Sequence, residues 1–219
     1  MDSSHPPSSP VHFWDGVAGT GRFSHPIHID WLTRYHVAAH ARVLDLGCGY
    51  GRTLAELARA GYDNIIGLDF SPLMLVRCRS TLPDVALVQA CAQALPLRDH
   101  SVDLVLLLAV LTCLPRDDDQ RTLLREILRV LCPGGLLYIS DLLLNSDSRN
   151  LERYARYAAQ NGTYGVFELL EGVLLRHHTM EWIEDLTAPF TRLEFHPFEA
   201  ATMNGHTSAA FRFLARGPK

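Results

Sequence analysis

Residues 43–53 read VLDLGCGYGRT: an apolar run closes on an acid, Asp45, and glycines follow at alternate positions, Gly47, Gly49 and Gly51. With RTLAELARAGY behind it, the stretch reads as a buried strand, a tight turn and a helix ending at Gly61. Such a junction gathers unpaired backbone N–H groups at a helix start. Glycines there let a ligand come close to the backbone and permit positive φ. The dinucleotide fingerprint at this place is G-x-G-x-x-G, whose third glycine packs helix on strand. Here the spacing is G-x-G-x-G, one residue shorter, and Asp45 stands two residues ahead of the first glycine. A carboxylate aimed at the loop repels a pyrophosphate and suits a ligand with a cationic amine.

Outward from this loop, strands and helices alternate. NIIGLDF is a second strand, SPLMLVRCRS a helix with Ser71 as N-cap and Pro72 at its first position, and VALVQA a third strand. SVDLVLLLAV is continuously apolar, as expected of a central parallel strand covered on both faces. QRTLLREILRVL is a helix, PGG a turn and LLYISD a fifth strand. Upstream, Asp30 would cap a helix through WLTRYHVAAH. Downstream come a helix around LERYARYAAQ and a hairpin in YGVFELLEGVLLRHH turning at Glu171 and Gly172. A helix follows in TMEWIEDL with Thr179 as N-cap. Two closing strands, TRLEFHPFEA and TSAAFRFLARG, are joined by the hairpin signal Met203-Asn204-Gly205. The pattern predicts an α/β fold: a doubly wound, mostly parallel seven-stranded sheet with an antiparallel C-terminal strand pair.

At 219 residues and 47% hydrophobic content the chain suits one domain with a sizeable core. A net charge of −4 gives no electrostatic draw toward nucleic acid. Arg121, Arg125 and Arg129 fall at helical spacing and read as a solvated face. The five cysteines are scattered, without C-x-x-C or a zinc spacing, so no metal is expected and a reducing cytoplasm fits. MDSSHPPSSP lacks the basic and apolar regions of a signal peptide and reads, over residues 1–10, as a disordered tail. The longest apolar run, LVLLLAVLTCLP, falls short of the ~20 residues a membrane helix needs. A soluble cytoplasmic protein is expected, without a membrane partner.

The second strand ends in another acid, Asp69, 24 residues after Asp45, where an acid in this kind of sheet accepts both hydroxyls of a ribose. A ribose, a cationic amino-acid end and no phosphate describe S-adenosyl-L-methionine. The chain resembles the class I S-adenosylmethionine-dependent methyltransferases of small-molecule type. It does so at VLDLGCGYGRT, IIGLDFSPLML, VQACAQALPLRDHSVDLVLLLAVLTCLP and LLREILRVLCPGGLLYISD, in order, over roughly residues 40–141. The resemblance implies a Rossmann-like methyltransferase fold with one domain over residues 11–219. A helical cover (11–40) and a cap insert (144–178) would close the site. It implies that Asp45, Gly47, Cys48, Gly49 and Gly51 hold the methionine end of the cofactor and Asp69 the ribose. Phe70 would flank the adenine, Cys91 and Ala92 would run along its edge, and Leu108 would offer backbone near the methionine moiety. Family members commonly carry an acid where Cys91 stands, so here backbone atoms, Gln93 or water would meet the adenine amino group.

Methyl transfer from a sulfonium is an in-line displacement, in which the protein mainly aligns the reactants in a closed site. A hydroxyl nucleophile also needs a base, and histidine suits that role near neutral pH. Of 11 histidines, His25 in the covering segment and His178 after the hairpin are the candidates; His12, His36, His40, His100 and His196 read as structural or solvated. Trp14, Asp141, Tyr164 and His177 are candidates for contact with the substrate. His177 and His178 are adjacent on a strand and face opposite ways, so they do not share a metal. Asp117, Asp118 and Asp119 read as a helix start stabilised by the helix dipole. The expectation is a methyltransferase acting on an oxygen or nitrogen of a small molecule, as a monomer or homodimer. The alternative is a catalytically silent cofactor-binding sensor or scaffold subunit.

Overall fold

A computed structural model describes residues 10–21, 25–169, 172–202 and 205–219, and among these no helix is long and apolar enough to cross a membrane. The chain runs through α1 (Pro10–Val17), α2 (Ile29–Arg34), β1 (Val43–Leu46), α3 (Arg52–Arg59), β2 (Ile65–Asp69) and α4 (Pro72–Thr81). It continues with β3 (Ala86–Gln89), β4 (Val102–Leu108), a 3-10 turn (Leu111–Cys113), α5 (Asp117–Val130) and β5 (Leu131–Leu142). Then come α6 (Ser148–Asn161), β6 (Val166–Glu168), β7 (Leu174–Arg176), α7 (Met180–Leu186), β8 (Thr191–Ala201) and β9 (Thr207–Arg216). Seven strands form one sheet in the order β3-β2-β1-β4-β5-β9-β8, and β6 and β7 pair apart from it.

The first five strands are parallel, whereas β9 runs antiparallel to both β5 and β8. Strand order reverses between β1 and β4, the switch point at whose carboxyl end such sheets open a crevice for ligands. Alternate residues of β4 feed opposite faces. Leu104 and Leu106 pack with Leu32, Leu54 and Leu57 under α2 and α3. Val105 and Leu107 pack with Leu123, Ile127 and Ile183 under α5 and α7. This double covering explains the unbroken apolar run.

Local signals set most helix ends. Ser71 accepts from the Met74 N–H at 3.2 Å and Thr179 from the Trp182 N–H at 3.1 Å, so both are N-caps. Gly61, at φ +89°, ends α3 through bonds from its own N–H to Ala58 and from Tyr62 N–H to Leu57.

Three expectations need correction. Asp30 is no cap: α2 starts at Ile29 because the His28 N–H is held by the Tyr138 hydroxyl at 3.0 Å, which leaves Asp30 in the first turn. That helix also stops at Arg34. His36 adopts φ +58°, and its N–H and that of Val37 return to Thr33 and Leu32, a reversal with no glycine to announce it. Pro133, Gly134 and Gly135 form an interruption inside β5 rather than a turn before it, since pairing with β4 jumps from Leu131 to Leu136. Of the tail expected over residues 1–10, Pro10 opens α1 and residues 1–9 lie outside the described residues, as do Glu171 of the hairpin turn, Met203 and Asn204.

Candidate active site

The carboxyl ends of β1, β2 and β4 open into a cavity of about 560 Å³. That lies within the ~300–1,000 Å³ of small-molecule sites. The 47–51 loop forms its floor. Gly47, Gly49 and Gly51 have φ of +75°, +52° and +85°, a conformation that favours glycine. A Cβ on Gly47 would come within 2.6 Å of Val110 Cγ2, and one on Gly51 would run into Cys78 Sγ. Gly47 and Cys48 both donate to the Leu68 carbonyl, at 2.7 and 3.0 Å, which locks the loop across the tip of β2.

Asp45 is 2% exposed, lines the cavity, and its Oδ2 has no hydrogen-bond partner among the described residues. Burial pushes its carboxyl up to about 7, with Arg52 pulling the other way and Asp69 adding to the rise. An orphaned buried carboxylate of this kind awaits a positive partner. Asp69 is better served: its two oxygens accept the Gly49 and Ser71 N–H groups, each at 2.8 Å. The Phe70 N–H adds a third bond, and since a carboxylate offers about four acceptor positions, Asp69 keeps acceptor capacity at the cavity wall.

The cover comes from the first helix and from the segment between β5 and α7. α1 contributes Pro10, Val11 and Trp14 to the wall. It is tied down by Asp15, which accepts from Ser71 Oγ at 2.5 Å, and by Arg77, which donates to the Ala18 and Gly21 carbonyls. Opposite it, the insert supplies Arg149 and Arg153 from α6 and Phe167, Leu175 and His177 from the β6–β7 hairpin. The hairpin is anchored to β5 through His178 N–H to Leu142 and Leu144 N–H to His178.

Of the residues singled out in the sequence, Asp45, Gly47, Cys48, Gly49, Asp69, Phe70, Cys91, Ala92 and Leu108 share this wall with Trp14, His25 and His177. Gly51 supports the loop from behind as the N-terminal neighbour of α3. Three residues do not reach the cavity. His178 is turned into the interior, where its Nδ1 meets the Leu142 carbonyl at 3.1 Å and its Nε2 lies 2.9 Å from Gln120 Nε2. Asp141 is fully buried and accepts from the N–H groups of Thr112 and Leu142, so it braces the turn after β4. Tyr164 is 48% exposed and packs its edge on Tyr154.

His25 is buried at the wall with Nε2 unpartnered among the described residues, and burial, with Arg52 and Arg212 nearby, lowers it to about 4. The Arg52 guanidinium, paired with Glu56 at 2.7 Å, donates to the His25 carbonyl and fastens the cover to the glycine loop. Ala109, at φ +57°, also lines the cavity; an L-residue there costs about 1–2 kcal/mol, strain of the sort found at functional sites. Neither Ala109 nor the two insert arginines stood out in the sequence, because nothing local distinguishes them. Among the described residues no cluster of three metal-ligating side chains occurs.

A family model for a methyltransferase domain matches residues 44–139. The trans-aconitate 2-methyltransferase of Methylobacterium nodulans is 42% identical over 130 residues, covering 58% of this chain and 48% of that protein. The chain spans about half the length of the curated relatives it matches. In fold it is similar to a SAM-dependent methyltransferase from Methanosarcina mazei, with a TM-score of 0.80 at 22% identity over 85% of this chain and 97% of that one. It is also similar to the N-methyltransferase NodS of Bradyrhizobium japonicum, solved with S-adenosyl-L-homocysteine, at a TM-score of 0.63 and 16% identity, covering 87% and 85% of the two chains. With the shortened glycine loop, the two strand-end acids and the reversed sheet order, these likenesses make the chain similar, in its 44–139 segment and in its fold, to the class I S-adenosylmethionine-dependent methyltransferases.

Proposed function

We propose that the protein transfers a methyl group from S-adenosyl-L-methionine to an oxygen or nitrogen of a small molecule by in-line displacement. The observation that carries this reading is Asp45: a buried carboxylate whose Oδ2 has no partner among the described residues, beside a glycine loop that lines the same cavity. The residues present fit the cofactor. Asp45 would hold its ammonium and the 47–51 loop its amino-acid end. Asp69 would accept the ribose hydroxyls with its remaining acceptor capacity, while Phe70, Cys91 and Ala92 would frame the adenine. Bound there, the sulfonium supplies an activated methyl group and leaves as a neutral thioether.

The chain's own work is to align and exclude water. α1 and the insert close the two sides of the cavity, and Arg52 joins the cover to the loop. His25 is the wall histidine suited to receive a proton from the acceptor. It is neutral throughout the physiological range and its Nε2 is free of protein partners among the described residues. His178 has no such access, its two ring nitrogens being engaged in the interior. A small acceptor is supported by the cavity size and by the small acceptor named for the trans-aconitate relatives.

The test is turnover to S-adenosylhomocysteine with metabolite pools, read beside cofactor binding by calorimetry. Product formation is expected, with His25→Ala lowering kcat at least tenfold while leaving the cofactor Kd within twofold. Tight cofactor binding without product from any pool would leave only the sensor or scaffold role. Absence of cofactor binding would remove the reading altogether.

A further inference from the structure

Among the described residues the insert wall carries two arginines and no carboxylate on the cavity side. Arg153 stacks its guanidinium 3.4 Å over the Phe167 ring, and its Nε is buried with no partner among the described residues. Burial pulls this arginine below its usual value, while a hydrogen bond to Tyr154 pulls the other way, so its nearest polar partner is a neutral hydroxyl and not a carboxylate. Arg149, one turn earlier on α6, reaches Asp147 only loosely, at 4.0 Å, and also lines the cavity.

His177 completes the set through its tautomer. Its Nδ1 lies 2.6 Å from the Tyr154 hydroxyl and 3.2 Å from Asn145 Nδ2. The hydroxyl accepts from the Asn145 backbone N–H at 3.3 Å and from Arg153, which leaves its proton for the histidine, whose Nδ1 also faces the Asn145 amide. With Nδ1 accepting and the ring held neutral, by burial and by the nearby Arg153, His178 and Arg149, the proton sits on Nε2. His177 therefore acts as an N–H donor at the wall rather than as a base. Among the described residues the acids on the cavity wall are Asp45, Asp69 and Asp119, none of them on the insert.

Resting on the reading that the cavity receives a methyl acceptor, we infer that this acceptor carries a carboxylate, seated against the insert by Arg153, Arg149 and His177. The guanidinium fork matches a planar carboxylate, and charge-assisted bonds are strongest where water is excluded. Phe167, Leu169 and Leu175 on the same wall suit an apolar or unsaturated carbon frame next to that carboxylate.

Calorimetry tests this directly, with benzoate, cinnamate, fumarate and trans-aconitate, each beside its primary amide. The full chain is titrated with and without S-adenosylhomocysteine. At least one acid is expected to bind ten times more tightly than its amide. Arg153→Met should weaken that acid at least tenfold with the S-adenosylhomocysteine Kd unchanged, which also shows that the variant is folded. Arg149→Gln, at an exposed position, should weaken it two- to fivefold. Acids that bind no better than their amides, or not at all, overturn the inference, as does an Arg153→Met variant whose affinity for the acid stays within twofold. Failure of S-adenosylhomocysteine itself to bind strikes the methyl-transfer reading instead, while the acid titrations without it still decide the carboxylate seat.

Discussion

Replacing Asp45 by asparagine keeps the shape of the side chain and removes its charge, which separates the two demands on this position. In the empty protein the carboxyl is pushed from 3.8 up to about 7 by burial. Holding it ionised at pH 8 therefore costs about 4 kcal/mol. The asparagine amide gives part of this back, since an unpaired buried donor costs about 1–3 kcal/mol. The apo variant should thus be more stable than the natural protein at pH 8 by on the order of 2 kcal/mol. The gain should vanish near pH 5, where Asp45 is protonated. Cofactor binding should move the opposite way. Loss of a charge-assisted bond of about 1.5–3 kcal/mol weakens the S-adenosylhomocysteine Kd roughly 10- to 150-fold at pH 8. Below pH 7 the natural protein must shed the Asp45 proton in order to bind. Its Kd should rise about tenfold per pH unit, with roughly one proton released at pH 6 and none from the variant. Calorimetry in two buffers of different ionisation enthalpy reads both quantities, and thermal melts read the apo stability. Equal affinities at pH 8, or no proton release by the natural protein at pH 6, would refute the assignment of Asp45 to the ammonium.

Gly51→Ala should cost at least ~2 kcal/mol, from its φ of +85° and the collision with Cys78 Sγ. Adding Cys78→Ala should remove the steric part and leave about 1–2 kcal/mol for the backbone, a double-mutant cycle readable by urea unfolding. Ser71→Ala should lose about 1–2 kcal/mol by removing the cap on α4. Any change in cofactor affinity should stay within a fewfold and come from α1, which loses its tie at Asp15, because Asp69 is gripped by the backbone N–H of residue 71 and not by the hydroxyl. The apo protein should also show a shallow acid dependence. His25, His177 and His178, lowered to about 4, 3 and 3, take up protons on unfolding. Asp45 and Asp141, raised to about 7, release theirs. Between about pH 4.5 and 5.5 these five groups take up three protons and release two on unfolding, so together they make stability rise with pH by about 1.4 kcal/mol per unit, a rise that the raised Asp69 carboxyl trims. Asp45→Asn deletes one released proton and should roughly double that slope, as chemical denaturation across the range would show.

Much of this molecule was legible in one dimension because its signals are local. The spacing of Gly47, Gly49 and Gly51 behind Asp45, the cap at Ser71 and the unbroken apolar run of β4 each depend on residues a few positions apart. They indicate strands, turns and a ligand with a cationic end before any packing is known. His36 shows the limit of such signals: it reverses the chain at φ +58° without being glycine, so α2 ends earlier than its periodicity suggests.

The two histidine candidates mark the division most clearly. In sequence, His25 and His178 are equivalent polar residues near the site, and the adjacent His177 adds a third. Only the packed chain separates them: the bridge between Leu143 and His178 fixes which way the hairpin strand faces, burying His178 against Gln120 and turning His177 to the cavity. Arg149 and Arg153 likewise gain their meaning when α6 lies across the mouth of the sheet, far in sequence from the glycine loop. The sequence by itself determined the sheet, the glycine loop and the acids that stand beside it, because period, turn chemistry and motif spacing act over short stretches. Which side chains line the acceptor's half of the cavity was decided only by tertiary structure, because facing, burial and tautomer arise from contacts between segments that the sequence keeps far apart.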